Sequence, residues 1–377
     1  MNDEHGTGVT GSSFIVPRSS FGRVAVIHDW LTGMRGGEQV LEGILDLVPE
    51  AEVFTLFHFA GKVSRKIESR PIHTSSLQRI AARVSDYRKL LPFFPRAVRQ
   101  WDLSRFDLII SSSHCVAKGV DARGKPHLCY CHTPMRYIWD RFDDYFPRSR
   151  PLLRGVVSLF APGLRRWDVA TAASVTRFVA NSNFVRGRIK QHYSRDAEVI
   201  HPFVSDAFLS SPLRREREDF DLIISALAPY KRIELAIETG RRLIIIGDGP
   251  MREHLRRRAG PNVTFLGAVS REVIVDHLAR ARALILPGVE DFGITPLEAM
   301  AVGTPVVAFR AGGVLDSVAE DRTGIFFDEP VVHSLRRALE AAEARAWNRE
   351  AIREHAATFS RARFQQQFMN TLRQVAA

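Results

Sequence analysis

Cysteine and long hydrophobic runs are the scarcities that constrain this chain most. Three cysteines in 377 residues, Cys115, Cys129 and Cys131, give neither an even disulfide framework nor the four-ligand spacing of a zinc site. Free thiols in a reducing compartment are expected, filling small buried core positions. No apolar run approaches the roughly 20 residues needed to cross a bilayer, so the sequence reads as soluble or peripheral. The first 20 residues are rich in Gly, Ser and Thr but lack a basic stretch followed by an apolar one, and they read as a disordered leader rather than a signal peptide. There is no internal repeat, and the Gly-x-Gly-x-x-Gly turn of dehydrogenases is missing. Negative charge is in deficit too: 42 Asp and Glu against 53 Lys and Arg leave a net charge of +11, an excess that favours an anionic partner.

The excess is uneven. Seven basic residues, Arg79, Arg83, Arg88, Lys89, Arg96, Arg99 and Arg105, interleave with Leu90, Leu91, Phe93, Phe94 and Trp101 against only Asp86 and Asp102. A second segment, Phe146 to Trp167, flanks an apolar core, Gly155 to Ala161, with Arg148, Arg150, Arg154, Arg165 and Arg166. Each describes either an element lying on an anionic membrane or an ordinary Arg-rich helix with its charges in water. No RNA-recognition signature accompanies them, and no nucleic-acid partner is expected.

What is present in quantity is alternation. Short β-rich apolar runs alternate with helical patterns, the mark of βαβ units and parallel sheets. One series runs through Val24–His28, Val53–Leu56, Asp107–Ile110, His127–Cys131, Arg177–Ala180 and Glu198–Ile200. The charged stretch Ser210 to Asp219 reads as a linker. A second series follows: Leu222–Ser225, Leu243–Ile246, Val263–Leu266, Ala283–Leu286, Pro305–Ala308 and Gly324–Phe327. The spacing predicts an α/β protein of two doubly wound, Rossmann-like domains in tandem, with a ligand crevice at the carboxyl ends of their strands. The expected division is a leader 1–20, a first domain 21–205, a second domain 206–359 and a closing helix 360–377 able to pack on either.

Candidate site residues fall where strands end. After Ala283–Leu286 come Glu290 and Glu298, eight positions apart, with Pro296 where a helix begins, because its missing N–H costs nothing there. The free amides of Gly293 to Thr295 would favour a phosphate, and the carboxylates would accept hydrogen bonds from sugar hydroxyls. A solvated acidic helix start suits the macrodipole equally well. Gly36 and Gly37 precede a helix expected to open at about Glu38 and let backbone approach a ligand closely. His132 stands at the mouth of His127–Cys131, in reach of a sugar hydroxyl or a phosphate oxygen; His28 and His114 share that placement. Lys231 and Arg232 follow Leu222–Ser225 ahead of an expected helix, Ile233 to Thr239, where cations can neutralise a pyrophosphate leaving group. Further glycine turns at Gly247 and Gly249, and at Gly312 and Gly313, line the same edge. Asp219 and Asp221 have the spacing of a metal-binding Asp-x-Asp, but they open a strand away from the crevice.

In combination, Gly36-Gly37-Glu38, the stretch Tyr130 to Tyr137 around His132-Thr-Pro134, Pro229-Tyr-Lys231-Arg232, Ile246 to Pro250, and Glu290 separated from Glu298 by seven residues resemble glycosyltransferase family 4. The resemblance runs from about Arg23 to the C-terminus and implies a retaining enzyme of GT-B fold, its two domains facing each other across a cleft, similar to bacterial mannosyltransferases of O-antigen and exopolysaccharide synthesis. It implies that Glu290 contacts hydroxyls of the donor sugar, Glu298 the donor ribose and Lys231 the diphosphate. It also implies that His132 lies beside the transferred sugar, that Gly36 and Gly37 close over the phosphates, and that Phe292, Gly293 and Ile294 supply backbone donors. The donor it implies is GDP-mannose, used without a cofactor, and the acceptor a polyprenyl-diphosphate-linked glycan at the cytoplasmic face of the membrane; with Asp219 and Asp221 away from the crevice, no metal is expected. Many members carry an arginine where this chain has Ala226, so one cation usually assigned to the diphosphate is absent; Arg232 is the candidate replacement. A GT-B epimerase would share much of the pocket, whereas a polyanion-binding module would need none of Lys231, Glu290 or Glu298.

Overall fold

A computed structural model of the chain describes residues 21–377 apart from 82–86, 147, 149–150 and 215. The leader, Arg83, Asp86 and Arg150, together with the side chain of Arg88, lie outside the described residues.

Each apolar run becomes a parallel strand; the central ones are buried on both faces, which is why their runs are continuous rather than alternating, whereas those at Ala197–Val199 and Val263–Gly267 are partly exposed. The first sheet holds β1 (Val24–His28), β2 (Glu52–Thr55), β3 (Ile72–Thr74), β4 (Leu108–Ser113), β5 (His127–Cys131), β6 (Arg177–Ala180) and β7 (Ala197–Val199), in the order β3-β2-β1-β4-β5-β6-β7. The second holds β8 (Asp221–Ile224), β9 (Leu243–Ile246), β10 (Val263–Gly267), β11 (Leu284–Leu286), β12 (Val306–Phe309) and β13 (Gly324–Phe327), in the order β10-β9-β8-β11-β12-β13. In both, the order reverses beside the first strand, between β1 and β4 and between β8 and β11, which opens a crevice above their carboxyl ends.

Three local features differ from the sequence reading. β3 was not anticipated, because Ile72-His-Thr74 has no apolar run. It forms as an edge strand, with His73 stacked on Phe54 at 4.6 Å and paired with Glu52 at 2.6 Å. The helix expected from Ile233 to Thr239 is only one turn, Glu234–Ile237, preceded by a 3-10 turn at Pro229–Lys231; Arg232 between them takes a left-handed φ of 51° that helical continuity forbids. The helix expected at about Glu38 runs Gly36–Leu47, so Glu38 falls in its first turn, where its carboxylate accepts the Arg35 N–H at 3.0 Å.

The chain crosses between the sheets twice, near 204 and near 359, and the crossings are joined by the Val204 N–H donating to the Phe359 carbonyl at 3.0 Å. The closing helix, Arg361–Ala376, returns to the first sheet. Its Phe364, Phe368, Met369, Leu372 and Val375 share a core with Val40, Leu41, Ile44, Tyr130 and Phe203. Burying five such side chains is worth on the order of 10 kcal/mol before entropy, which explains the choice of sheet. Gly43 makes the approach possible: a Cβ there would stand 2.6 Å from the Phe203 ring and 3.1 Å from Phe364.

Candidate active site

β1, β4 and β5 are neighbours, so their last residues emerge together. His28, His114 and His132 form a triangle with ring centroids 5.9, 6.3 and 6.4 Å apart. Ser112 bridges two of them, its Oγ 3.0 Å from His28 Nδ1 and 2.8 Å from His132 Nε2. Asp29, the residue after β1, accepts four backbone N–H groups from His114, Cys115, Val116 and Ala117 at 2.6–2.9 Å and lies 3.1 Å from His114 Nδ1. That carboxylate fixes the loop after β4. Burial, reinforced by His28, pushes the His114 imidazole down to about 3. His132 is likewise held well below its ordinary value, by burial first and then by His114 and His28. At neutral pH His114 and His132 therefore present neutral imidazoles to the cleft.

Across the cleft, β8 and β11 deliver Lys231 and Glu290. Lys231 Nζ donates to Glu290 Oε1, with the two side chains 13% and 17% exposed. Three glycines hold the loops bearing these residues, because no side chain fits between the backbones. A Cβ on Gly288 would stand 2.4 Å from the Tyr230 carbonyl, one on Gly312 2.4 Å from the Glu290 carbonyl, and one on Gly313 2.0 Å from that of Asp291. Gly249 meets a similar demand, 2.5 Å from the Leu227 carbonyl. Gly249, Gly312 and Gly313 were read as turns lining the crevice; at each of them the structure packs one loop directly against another. Gly293, at φ 84°, caps the helix Ile294–Ala301, so Pro296 is its third residue and still needs no N–H partner. Glu298 follows within that helix. Burial raises its carboxyl to about 7 against the opposing effects of Arg271 and a hydrogen bond from Gln39.

The two walls meet. A Cβ on Gly36 would lie 3.0 Å from Ile294 Cδ1, and one on Gly37 3.9 Å from His132, while Gln39 of the same helix reaches Glu298. The structure thus gathers Gly36, Gly37, His132, Ile294 and Glu298 along one seam, with Gly293 and Thr295 at the same helix start and the Lys231–Glu290 pair on the adjoining loops. Phe292 is buried, its ring stacked on His201 at 5.5 Å, so only its backbone is available to a ligand. Arg232 departs from the others: its guanidinium lies 5.7 Å over the Phe309 ring, beside the end of β12. Asp221 is buried and paired with Arg241 and Arg282, and Asp219 also binds Arg282.

Sequence reading missed the residues that fasten the walls. Asp291, next to Glu290, is buried between Arg136 and Arg188 of the first sheet's side, with Arg188 Nη1 at 3.0 Å. The Ser182 hydroxyl donates to the Asp291 carbonyl at 2.5 Å. Asp316 accepts from Asn183 N at 2.6 Å and lies 3.1 Å from His201 Nε2. Arg188 looks in sequence like any solvated helical arginine; only its partner from the other sheet distinguishes it.

Residues 53–208 match the model for glycosyltransferase family 4, and 206–359 the model for glycosyl transferases group 1. Among curated relatives, a GDP-mannose-dependent alpha-(1-6)-phosphatidylinositol monomannoside mannosyltransferase of Mycolicibacterium smegmatis is 32% identical over 210 residues, 47% of this chain and 54% of that protein. Its Mycobacterium tuberculosis counterpart is 34% identical over 125 residues, 30% of this chain and 31% of that protein. The matches thus span about a third to a half of those relatives. Among solved structures, Anabaena HepE in complex with UDP superposes with a TM-score of 0.67 at 18% identity, over 93% of this chain and all of the other. Sucrose-phosphate synthase from Thermosynechococcus elongatus gives 0.67 at 18% identity, over 94% of this chain and 99% of the other. With two parallel sheets facing across the seam and both halves matched, the chain has the GT-B fold and belongs to glycosyltransferase family 4.

Proposed function

We propose that the chain is a retaining, metal-independent hexosyltransferase that takes mannose from GDP-mannose to a polyprenyl-diphosphate-linked glycan at the inner face of a cytoplasmic membrane. The observation that carries this reading is the Lys231–Glu290 pair, set at the β8/β11 crevice beside a free helix N-terminus and fastened to the wall that holds His132. Transfer requires positive charge where the diphosphate departs and negative charge where the sugar becomes cationic. Here both lie in one contact, and a donor inserted between them would meet Lys231 through its phosphates and Glu290 through its hydroxyls. The amides of Gly293 to Thr295 would receive phosphate oxygens, Gly36 and Gly37 would cover them, and Glu298 would accept from the ribose. His132, neutral, would bind a hydroxyl of the sugar.

Retention follows from attack on the departing face. The acceptor oxygen bonds to the anomeric carbon as the phosphate oxygen leaves, and that oxygen takes the acceptor proton. The carboxylate beside Glu290 is unavailable as a nucleophile, because Asp291 is held by two arginines. Asp219 and Asp221, the one Asp-x-Asp, are likewise committed to arginines, which supports activity without a metal.

GDP-mannose is favoured by the mannosyltransferase relatives, whose names also specify phosphatidylinositol mannoside acceptors; UDP in HepE keeps uridine donors in the screen. A membrane partner is supported by the helix Pro151–Ala172. It exposes Val156, Leu159 and Phe160, with Leu159 78% exposed, and carries Arg154, Arg165 and Arg166, while its acidic residue, Asp168, is buried. Among the described residues no helix is long and apolar enough to cross a membrane.

The deciding experiment is a hydrolysis and transfer screen of GDP-, UDP- and ADP-sugars, with and without EDTA. Turnover of GDP-mannose, insensitive to EDTA and lost in Lys231→Ala and Glu290→Ala, is expected; no turnover of any donor would refute the reading.

A further inference from the structure

We infer that Ser112, His28 and Glu38 form a relay that fixes which ring nitrogen of His132 carries the proton. Ser112 Oγ lies 3.0 Å from His28 Nδ1 and 2.8 Å from His132 Nε2, and it has a single proton to share. The whole chain therefore points one way or the other, and its far end decides which. His28 Nε2 is fully buried without a hydrogen-bond partner and lies 3.8 Å from Glu38 Oε1.

Burial by itself would raise the Glu38 carboxyl, but His28 and the hydrogen bonding at the helix start bring it below its ordinary value, so it is ionised at neutral pH and can only accept. A lone pair on His28 Nε2 would set two electron-rich atoms against each other in a dry site. With the proton on Nε2 the contact is attractive. His28 Nδ1 then accepts from the Ser112 hydroxyl, and the Ser112 oxygen accepts from His132 Nε2–H. His132 Nδ1, which has no hydrogen-bond partner among the described residues, is left as an acceptor. Asp29 acts on His114 in the same sense, drawing the proton to Nδ1 at 3.1 Å. Gly37 borders the relay: a Cβ there would make ordinary contact, 3.6 Å from His28 Cε1 and 3.9 Å from His132 Cε1.

The consequence rests on the reading that His132 borders the transferred sugar: it is built to receive a hydroxyl proton there, not to donate to a phosphate oxygen. Ser112, His28 and Glu38 are positioning residues that act through it.

Long-range proton–nitrogen correlation spectra of the full-length, histidine-labelled protein at about pH 8, where imidazoles are ordinarily neutral, test the relay directly. Wild type is expected to show His132 and His28 as single Nε2–H tautomers; Nδ1–H at His132 overturns the inference. Ser112→Ala removes one oxygen, and Glu38→Gln supplies an amide that can both donate and accept. Each is expected to turn the His132 signal into an exchanging mixture and to lower kcat for GDP-mannose about tenfold with little change in KM. A single unchanged tautomer in both variants also overturns it, and the second variant stands should the first fail to fold. Inactivity of the wild type towards every nucleotide sugar would defeat the transferase reading and not the relay, because the ring assignment is made on the unliganded protein.

Discussion

Replacing Glu298 with Gln should make this protein more stable and a worse enzyme. Burial dominates at Glu298 and lifts its carboxyl from 4.5 to about 7, in spite of Arg271 and Gln39. At 1.36 kcal/mol per unit, a shift of that size corresponds to about 3 kcal/mol. The direction follows from proton counting. Between 4.5 and about 7 the folded state keeps a proton that the unfolded state has lost, so stability from this group is complete below 4.5 and gone once pH has risen through 7. Glutamine has no proton to lose. The variant should therefore match wild type at about pH 4 and exceed it by about 3 kcal/mol at about pH 8 in urea titrations followed across pH. GDP binding measured by calorimetry should weaken tenfold to a hundredfold, because hydrogen bonds to a charged acceptor are worth about 1.5–3 kcal/mol. A stability difference that does not change with pH, or a variant less stable than wild type at high pH, would refute the reasoning. Such a result would mean that Glu298 already has a compensating partner.

Three further outcomes are expected. Asp291→Asn leaves Arg136 and Arg188 facing a neutral amide, and breaking a buried pair costs about 3–5 kcal/mol, so kcat/KM should fall at least ~100-fold as the walls lose register. Unaltered kinetics would show that the clasp is incidental. Gly313→Ala would press a methyl to within 2.0 Å of the Asp291 carbonyl and should abolish turnover, whereas Gly155→Ala, with nothing within 4 Å, should be neutral or stabilising by roughly 0.5–1 kcal/mol in thermal melts. Leu159→Glu combined with Phe160→Glu should reduce co-sedimentation with anionic vesicles more than tenfold while leaving donor hydrolysis intact, since each exposed side chain contributes roughly 1.5–3 kcal/mol on burial. Equal binding of the variant would remove this helix as the membrane contact.

Sequence by itself determined the architecture and the motif-bearing walls. Continuous aliphatic runs such as Val24–His28 and Leu243–Ile246 have one stable use, as parallel strands buried on both faces, and the residues that follow them have one place to go, the carboxyl edge. His132, Lys231 and Glu290 were legible for that reason. The tertiary structure decided everything that depends on partners distant in the chain. β3 had no apolar run to announce it and exists because Phe54 and Glu52 receive His73. Arg188, Asp291, Gln39 and Ser112 carry no local pattern, because a hydrogen bond across 103 residues, as between Arg188 and Asp291, leaves no periodicity behind. The glycine turns were visible, but not their purpose: whether a missing Cβ admits a ligand or another backbone is a matter of what lies opposite, and that is settled only when the loops pack.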